Sequence, residues 1–288
     1  MTDKKRIADN ESVAEMLRLI QGASAIESLW QAFPLLQQAF PQLKGVSENL
    51  AELKQQSKIL LLPDRFNELF ASSGWIAYES MSMDVMKKAI ETFEAHGLEA
   101  AEDYLVSTYD ADTLRLGILR LKRHPEFRKR MRLVELAKDD YLAGRYHACT
   151  PLLLSLMDGL ANDVSRHVGL FADNADLTAW DCIAAHESGL QALVALMTKG
   201  RNRTNEESIS VPYRHGILHG RELAFDNHIV AAKTWAAFSA EHDVFEEELK
   251  VSAGYQDGKG LPMCRLESGG KWTLVQNSFR SVIYRNIQ

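Results

Sequence analysis

The eleven residues from Val211 to Arg221, with the sequence VPYRHGILHGR, contain two arginines, two histidines and two glycines. Arg214 supplies a permanent guanidinium charge that can donate two hydrogen bonds to one phosphate group. His215 and His219 supply imidazoles that exchange protons near neutral pH. Metal-free cleavage of RNA needs both, because the 2′-hydroxyl loses a proton, the 5′-oxygen gains one and the phosphorane charge must be stabilised. The segment therefore predicts phosphate chemistry.

Pro212 precedes a segment that looks like a long helix. A proline that starts a helix leaves the first backbone N–H groups available, and together with the helix dipole they favour an anion near Arg214. In a regular helix Arg214 and His219 would point about 140° apart, so they would not share one face. We expect either a distortion near Gly216 or two groups that act across a shared cleft.

The pair His215 and His219 also has the i, i+4 spacing of a metal-binding pair, with Glu222, Asp226 or His228 as third ligand. Since no full zinc signature such as HExxH and no glycine-rich phosphate loop is present, the sequence favours a site without metal or cofactor. His215 is then expected to orient the phosphate or the arginine, or to be a polar residue on the first helical turn.

Asp158 lies inside the apolar run PLLLSLMDGL, where an unpaired carboxylate would be costly to bury. We expect it to pair with Arg214 or His219 and to orient that group. The alternative is that Asp158 points to solvent or bonds Ser155 or Asn162.

Basic residues near the motif are candidate contacts to RNA. Arg201 and Arg203 lie on the polar loop that leads to the motif, and Arg221 ends it. Other basic residues between positions 115 and 132 are interspersed with acidic ones and are typical of a solvated helix face. The formal net charge of −6 over 288 residues excludes a protein that coats nucleic acid with its whole surface.

The elements that must position these residues are predicted to be helices, so the fold class is all-α. Residues 1–122 form an N-terminal helical array, with candidate helices at 11–40 (bent or broken at Pro34), 46–61, 64–80, 82–96, 98–108 and 111–122. Longer candidates at 125–143, 145–168, 178–199 and 212–250 predict a four-helix bundle over residues 123–250. In the second of these, an apolar stripe that we expect to be buried consists of Tyr146, Cys149, Leu153, Leu156, Leu160 and Val164. Glycines and a strand, turn, strand pattern predict a small β-hairpin or meander appendage over 251–288.

The region 125–250 resembles the HEPN superfamily. These are all-α domains whose ribonuclease members carry an arginine, four to six intervening residues and a histidine, often with a polar residue after the arginine. Arg214, His215 and His219 fit that pattern, and Gly220, the following helix and the earlier helix 146–158 add to the likeness. Arg221 and His228 repeat the spacing, but on what looks like the continuing helix.

The resemblance implies a metal-independent endoribonuclease of defence or toxin type, with His219 as general acid or base and Arg214 on the phosphate. HEPN ribonucleases commonly build a composite site from two domains, and this chain has one clear copy of the motif. A homodimer that binds RNA is therefore expected, with an antitoxin or regulatory protein as a candidate partner. The alternative is a non-catalytic HEPN-like helical module that binds a nucleotide, RNA or a protein.

The chain is predicted to be cytoplasmic. No apolar run approaches the length of about 18 to 20 residues that a membrane span needs. The three cysteines, at positions 149, 182 and 264, are far apart and form no CxxC pair.

Overall fold

The structure is a computed structural model that describes residues 6–40, 43–164, 187–200, 202–252, 263–266 and 272–275. These residues are mostly helical, which confirms the all-α class. Contacts divide the chain into two compact units, Met1–Asp64 with Lys259–Gln288, and Arg65–Gly258. No helix in the described ranges combines the length and the apolar character that a membrane span requires.

The smaller unit begins with three helices: α1 (Glu11–Ala32), α2 (Pro34–Ala39) and α3 (Leu43–Leu60). Asn10 caps α1, and its side-chain oxygen accepts hydrogen bonds from the backbone amides of Ser12 and Val13. The predicted break at Pro34 is confirmed, since α2 starts there. Two strands, β1 (Met263–Leu266) and β2 (Trp272–Val275), pair antiparallel. Most of the remaining residues of the predicted β appendage, 251–288, fall outside the described residues.

The larger unit contains the motif. Its helices begin with α4 (Leu62–Phe70), which crosses the boundary between the units, followed by α5 (Met83–His96), α6 (Leu98–Ser107), α7 (Ala111–Leu121), α8 (Pro125–Arg128), α9 (Met131–Leu142), α10 (Tyr146–Val164), α11 (Ala192–Met197), α12 (Arg214–Leu218) and α13 (His228–Ser252). A short 3-10 helix lies at Ala71–Ser73, and a π-helical turn at Glu187–Gln191 precedes α11. In the smaller unit, another 3-10 helix at Ile7–Asp9 precedes α1. Residues 165–186, which cover the end of the predicted helix 145–168, the connection after it and the start of the predicted helix 178–199, are not described.

Two predicted helices are interrupted. The prediction for 64–80 is wrong after Phe70, because Gly74 takes a left-handed φ of +98° and residues 75–78 have no regular secondary structure. All residues from 75 to 78 are buried, which one face of a helix cannot achieve. The prediction for 125–143 divides into α8 and α9, and Arg130 between them donates a hydrogen bond to the Gly159 carbonyl at 2.6 Å.

The predicted continuous helix 212–250 is also wrong. Helix α12 has five residues, and an extended segment at 221–227 separates it from α13. The Gly216 carbonyl accepts hydrogen bonds from the amides of Arg221 (2.7 Å) and Glu222 (3.1 Å), which ends the helical pattern. Gly220 permits this turn because its φ is +66°.

The core around the site is built on α10 and α13, which pack against each other, while α9 and α12 also pack on α10. The stripe predicted in α10 is confirmed at its centre, since Cys149, Leu153, Leu156 and Leu160 are all buried, whereas Tyr146 at its start is half-buried. The side chain of Val164 is not among those that the structure describes. In α13 every residue from 230 to 245 except Ser239 is buried. A helix buried on all sides places its polar residues inside the protein, and these need partners there.

Candidate functional site

Helix α12 presents the motif as one short turn. Tyr213 is its N-cap residue, with extended backbone dihedral angles, and its carbonyl accepts from the Ile217 amide at 2.9 Å. Pro212 therefore lies before the helix and does not occupy its first position. The expectation of a long helix that starts at Pro212 is therefore wrong, and a helix of five residues adds little dipole to any anion near Arg214.

Arg214 is held by Asp158 across the α10–α12 contact. Its Nε donates to Asp158 Oδ1 at 2.7 Å, and its Nη2 donates to Asp158 Oδ2. The structure thus selects one of the two partners predicted for Asp158. The side chains are 19% and 26% exposed, so the pair is partly desolvated and still reaches the surface. Such a two-bond pair fixes the plane of the guanidinium.

His215 lies between Arg214 and His219. Its Nε2 is 3.4 Å from Arg214 Nη1. Since a guanidinium can only donate, this contact requires the tautomer in which Nε2 accepts and Nδ1 carries the proton. Nδ1 is buried and has no hydrogen-bond partner in the described part of the chain. Burial lowers the pKa of His215, the charges of Arg214 and His219 lower it further, and Asp158 opposes them. The neutral imidazole is therefore favoured.

His219 is the solvent-facing member of the motif. It follows the last residue of α12 and is exposed. Its ring stacks on that of His215, with centroids 6.0 Å apart and planes inclined by 28°. Because the helix ends between the two histidines, the 140° separation expected of a regular helix does not apply. Arg214, His215 and His219 form a continuous row from a partly buried cation to an exposed imidazole, which we call the RHH row.

Gly216 and Glu222 fix the position of this row. Glu222 is buried, and its side chain packs so closely on Gly216 that a Cβ there would overlap Glu222 Cγ. Glu222 Oε2 accepts a hydrogen bond from Asn205 Nδ2 at 2.7 Å. Only glycine at position 216 leaves room for this buried carboxylate under α12.

The polar loop before the motif is anchored to the segment that follows it. Asn205 pairs with Glu222 in a parallel bridge, and the Asn205 amide donates to the Arg221 carbonyl at 2.7 Å. Arg203 and Arg221 are both exposed and lie on these two paired segments. Arg201, the third predicted RNA contact, falls outside the described residues.

A buried ion pair secures the end of this loop. Lys233 is fully buried on α13, and its Nζ lies 2.6 Å from Glu102 Oε1 and donates to the Ser210 carbonyl at 2.8 Å. Trp75 Nε1 also donates to Glu102 Oε1, at 3.2 Å. The Lys233–Glu102 pair joins α13 to α6, and the Lys233–Ser210 bond ties the end of the loop to them, just before the motif begins at Val211.

Glu241 is a buried carboxyl electrostatically coupled to the site. It is fully buried on α13, and neither of its oxygens has a hydrogen-bond partner among the described residues. Burial raises its pKa well above the ordinary range, and the charge of Asp158 raises it further, whereas Arg130 lowers it. The neutral carboxyl is favoured, because an additional charge there would repel Asp158.

The alternative metal pair, His215 with His219, gains no third ligand within the part of the chain that is described. The one group of three ligand side chains found there is His124, His242 and Glu246, whose ligand atoms lie within 4.8 Å of one another. The sequence reasoning missed this group. Its only local signal is the i, i+4 spacing of His242 and Glu246, since His124 is remote in sequence.

The RHH row can bind an anion and transfer a proton at the same surface. Arg214 supplies a fixed positive charge, and the exposed imidazole of His219 can reach a ligand from solvent. The neutral His215 can accept from the guanidinium and so orient it.

No protein-family model, no curated protein and no solved structure matches this chain in the comparisons with known proteins.

Proposed function

We propose that the chain is a metal-independent endoribonuclease of the HEPN type, in which the RHH row cleaves RNA by attack of the 2′-hydroxyl on the adjacent phosphorus. His219 acts as general acid or base, and Arg214 stabilises the charge on the phosphate. The observation that carries the proposal is the row itself: a guanidinium fixed by Asp158 and an exposed imidazole, joined through His215.

Each residue has a distinct role in this reaction. Asp158 orients Arg214 through two hydrogen bonds, so the guanidinium need not be ordered when the phosphate arrives. His215 is a positioning residue, because its lowered pKa favours the neutral form that accepts from Arg214. His219 is exposed and can exchange protons with the substrate.

The proposal extends to the fold and the partners. Residues 123–250 are proposed to be a HEPN-like bundle, and residues 251–288 a small β appendage. RNA is proposed to cross Arg203 and Arg221, which flank the row on paired segments. Two copies of the chain then form a composite site in a cytoplasmic homodimer of toxin or defence type, and an antitoxin or regulatory protein restrains it.

Cleavage of mixed RNA by the purified full chain, with and without EDTA, tests the enzyme. General acid–base catalysis contributes roughly 10²- to 10⁴-fold, so His219→Ala should lower the cleavage rate by about that factor. Arg214→Lys should also lower it, because lysine keeps the charge and loses the planar two-bond geometry. His147→Ala, which removes an exposed histidine on α10, is the matched control.

Persistence in EDTA, loss in both row variants and retention in the control would support the proposal. Cleavage by His219→Ala at the parental rate would show that the row is not the active site. Cleavage that disappears in EDTA would contradict a metal-independent mechanism.

One observation favours the non-catalytic alternative, a helical module that binds RNA, a nucleotide or a protein. Both Nε and Nη2 of Arg214 already serve Asp158, as in a structural ion pair. In this case fluorescence anisotropy should show RNA binding without cleavage. Binding should weaken in Arg203→Ala with Arg221→Ala, and His219→Ala should not change it.

A further inference from the structure

We propose that His124, His242 and Glu246 form a binding site for a divalent transition metal ion, with Zn²⁺ as the best match. The ligand atoms of these three side chains lie within 4.8 Å of one another. His242 and Glu246 are one turn apart on α13, and His124 immediately precedes α8. This three-ligand cluster shares no residue with the RHH row, so the inference goes beyond the proposed ribonuclease.

His242 is prepared to act as a ligand. Its Nδ1 is 3.3 Å from Asp243 Oδ1, so a hydrogen bond to that carboxylate places the proton on Nδ1 and leaves the lone pair on Nε2. Nε2 is buried and has no hydrogen-bond partner among the described residues. The residue as a whole is only 3% exposed. A buried imidazole nitrogen with a lone pair and no donor is costly, and a metal ion would satisfy it.

Asp243 supplies the outer shell that metal-binding histidines usually have. It is 2% exposed, and its Oδ2 accepts from the Ser80 amide at 2.8 Å and from Ser80 Oγ at 2.9 Å. Its Oδ1 accepts from Arg120 Nη2 at 3.2 Å. A carboxylate held at both oxygens fixes the tautomer and the orientation of the imidazole beside it.

The other two ligands can adjust to an ion. His124 Nε2 is 4.0 Å from Glu246 Oε2, and the two side chains are 20% and 25% exposed. Ligand atoms around a tetrahedral Zn²⁺ are about 3.3 Å apart, so side-chain rotations that move the ligand atoms by roughly 1 Å are enough to close the site. The Phe127 ring packs edge-on against the His242 ring, with centroids 4.9 Å apart, so His242 is held and the adjustment falls on the half-buried His124 and Glu246.

The charges around the cluster suit a dication. Asp243 and Glu246 bring two negative charges, and Arg120, 3.6 Å from Glu246, brings one positive charge. The net charge of Asp243, Glu246 and Arg120 is −1, and a divalent ion changes it to +1. Neither state places more than one uncompensated charge in the site. Two imidazoles and one carboxylate are a ligand set that Zn²⁺ favours over Mg²⁺ or Ca²⁺, and they leave one position for water.

The test measures binding directly and does not depend on ribonuclease activity. The full chain, without a histidine tag and stripped of metal by a chelator, is titrated with Zn²⁺ against a chromophoric chelator. It is separately titrated with Co²⁺, whose visible spectrum reports tetrahedral coordination. We expect one ion per chain. His124→Ala and Glu246→Gln should each weaken binding by on the order of 100-fold, at or above the roughly 10- to 100-fold typical of an outer-shell change.

Controls separate this cluster from other histidines. His147→Ala should bind as the parent does, and so should His219→Ala, which destroys the alternative pair with His215. Circular dichroism checks that each variant is folded, and Glu246→Gln keeps the shape of the side chain. The proposal is overturned if the parent binds no Zn²⁺, if all variants bind equally, or if His219→Ala loses the ion while His124→Ala keeps it.

Discussion

Replacement of Gly216 by alanine tests how the RHH row is held. A Cβ at this position would overlap Glu222 Cγ and lie 3.4 Å from Glu222 Cβ and Cδ. Glu222 is 0% exposed and bonded to Asn205 at 2.7 Å, so its side chain cannot move into solvent without losing that bond. Overpacking of this kind costs about 1–3 kcal/mol.

At a helical glycine that has room for a methyl group, replacement by alanine instead raises the free energy of unfolding by about 0.5–1 kcal/mol. Gly216→Ala should therefore lower the free energy of unfolding by about 1–2 kcal/mol net. At roughly 2–4 °C per kcal/mol, this corresponds to a fall in Tm of about 2–8 °C. Gly117→Ala on α7 is the matched control, because a Cβ there meets no atom within 4 Å. This control should raise Tm.

The assay is thermal and urea unfolding followed by circular dichroism. The Glu222→Ala background identifies the cause, because it removes the Cγ that the new methyl group would strike. On that background the overpacking cost should disappear and leave at most the gain of about 0.5–1 kcal/mol, and a double-mutant cycle records the difference as a coupling energy. The reasoning is refuted if Gly216→Ala stabilises the protein as Gly117→Ala does, or if its cost is the same with and without Glu222.

Four further predictions concern ionisable residues around the site. His215 should titrate below 6.5 in histidine NMR spectra, and Arg214→Leu should raise its pKa; an unchanged value would contradict the proximity of the guanidinium. A lowered pKa disfavours protonation of His215 in the folded state. The contribution of His215 to stability is therefore complete above pH 6.5 and is lost as the pH falls through the folded-state pKa. Tm values of the parent and of His215→Gln, measured at a series of decreasing pH values, test this. Lys233→Met should lower the free energy of unfolding, measured by urea denaturation, by about 3–5 kcal/mol, because it leaves the Glu102 carboxyl without its cation. Adding Glu102→Gln should recover part of this loss. Glu241→Met should stabilise the protein by about 1–3 kcal/mol, because it removes a buried carboxyl whose oxygens have no hydrogen-bond partner among the described residues; a fall in Tm would argue against this.

Much of the helical structure follows from local sequence. The predictions for 82–96, 98–108 and 111–122 correspond to α5, α6 and α7 within a residue or two at each end. These boundaries depend on neighbouring residues: Gly97, with φ of +86°, separates the first two, and the Asp110 side chain caps α7 by accepting from the Thr113 amide.

The site was predictable only as a set of chemical groups. The sequence identified Arg214, His215 and His219 and the need of Asp158 for a partner, because an acidic residue in an apolar run is recognisable without coordinates. It left open whether Asp158 pairs with Arg214, with His219 or with neither, since Asp158 and Arg214 are 56 residues apart and no local rule brings them together. The buried position of Glu222 below Gly216 was equally invisible.

The amino-acid sequence by itself determined the all-α class, the local helices and the reactive groups of the motif, because helical periodicity, caps and side-chain chemistry are properties of neighbouring residues. Tertiary structure decided where helices stop and which groups meet. The end of α12, the Arg214–Asp158 pair and the cluster of His124, His242 and Glu246 all depend on residues remote in sequence. Such contacts form only when packing of the whole unit compensates for desolvating polar groups, so neither helical period nor residue spacing encodes them.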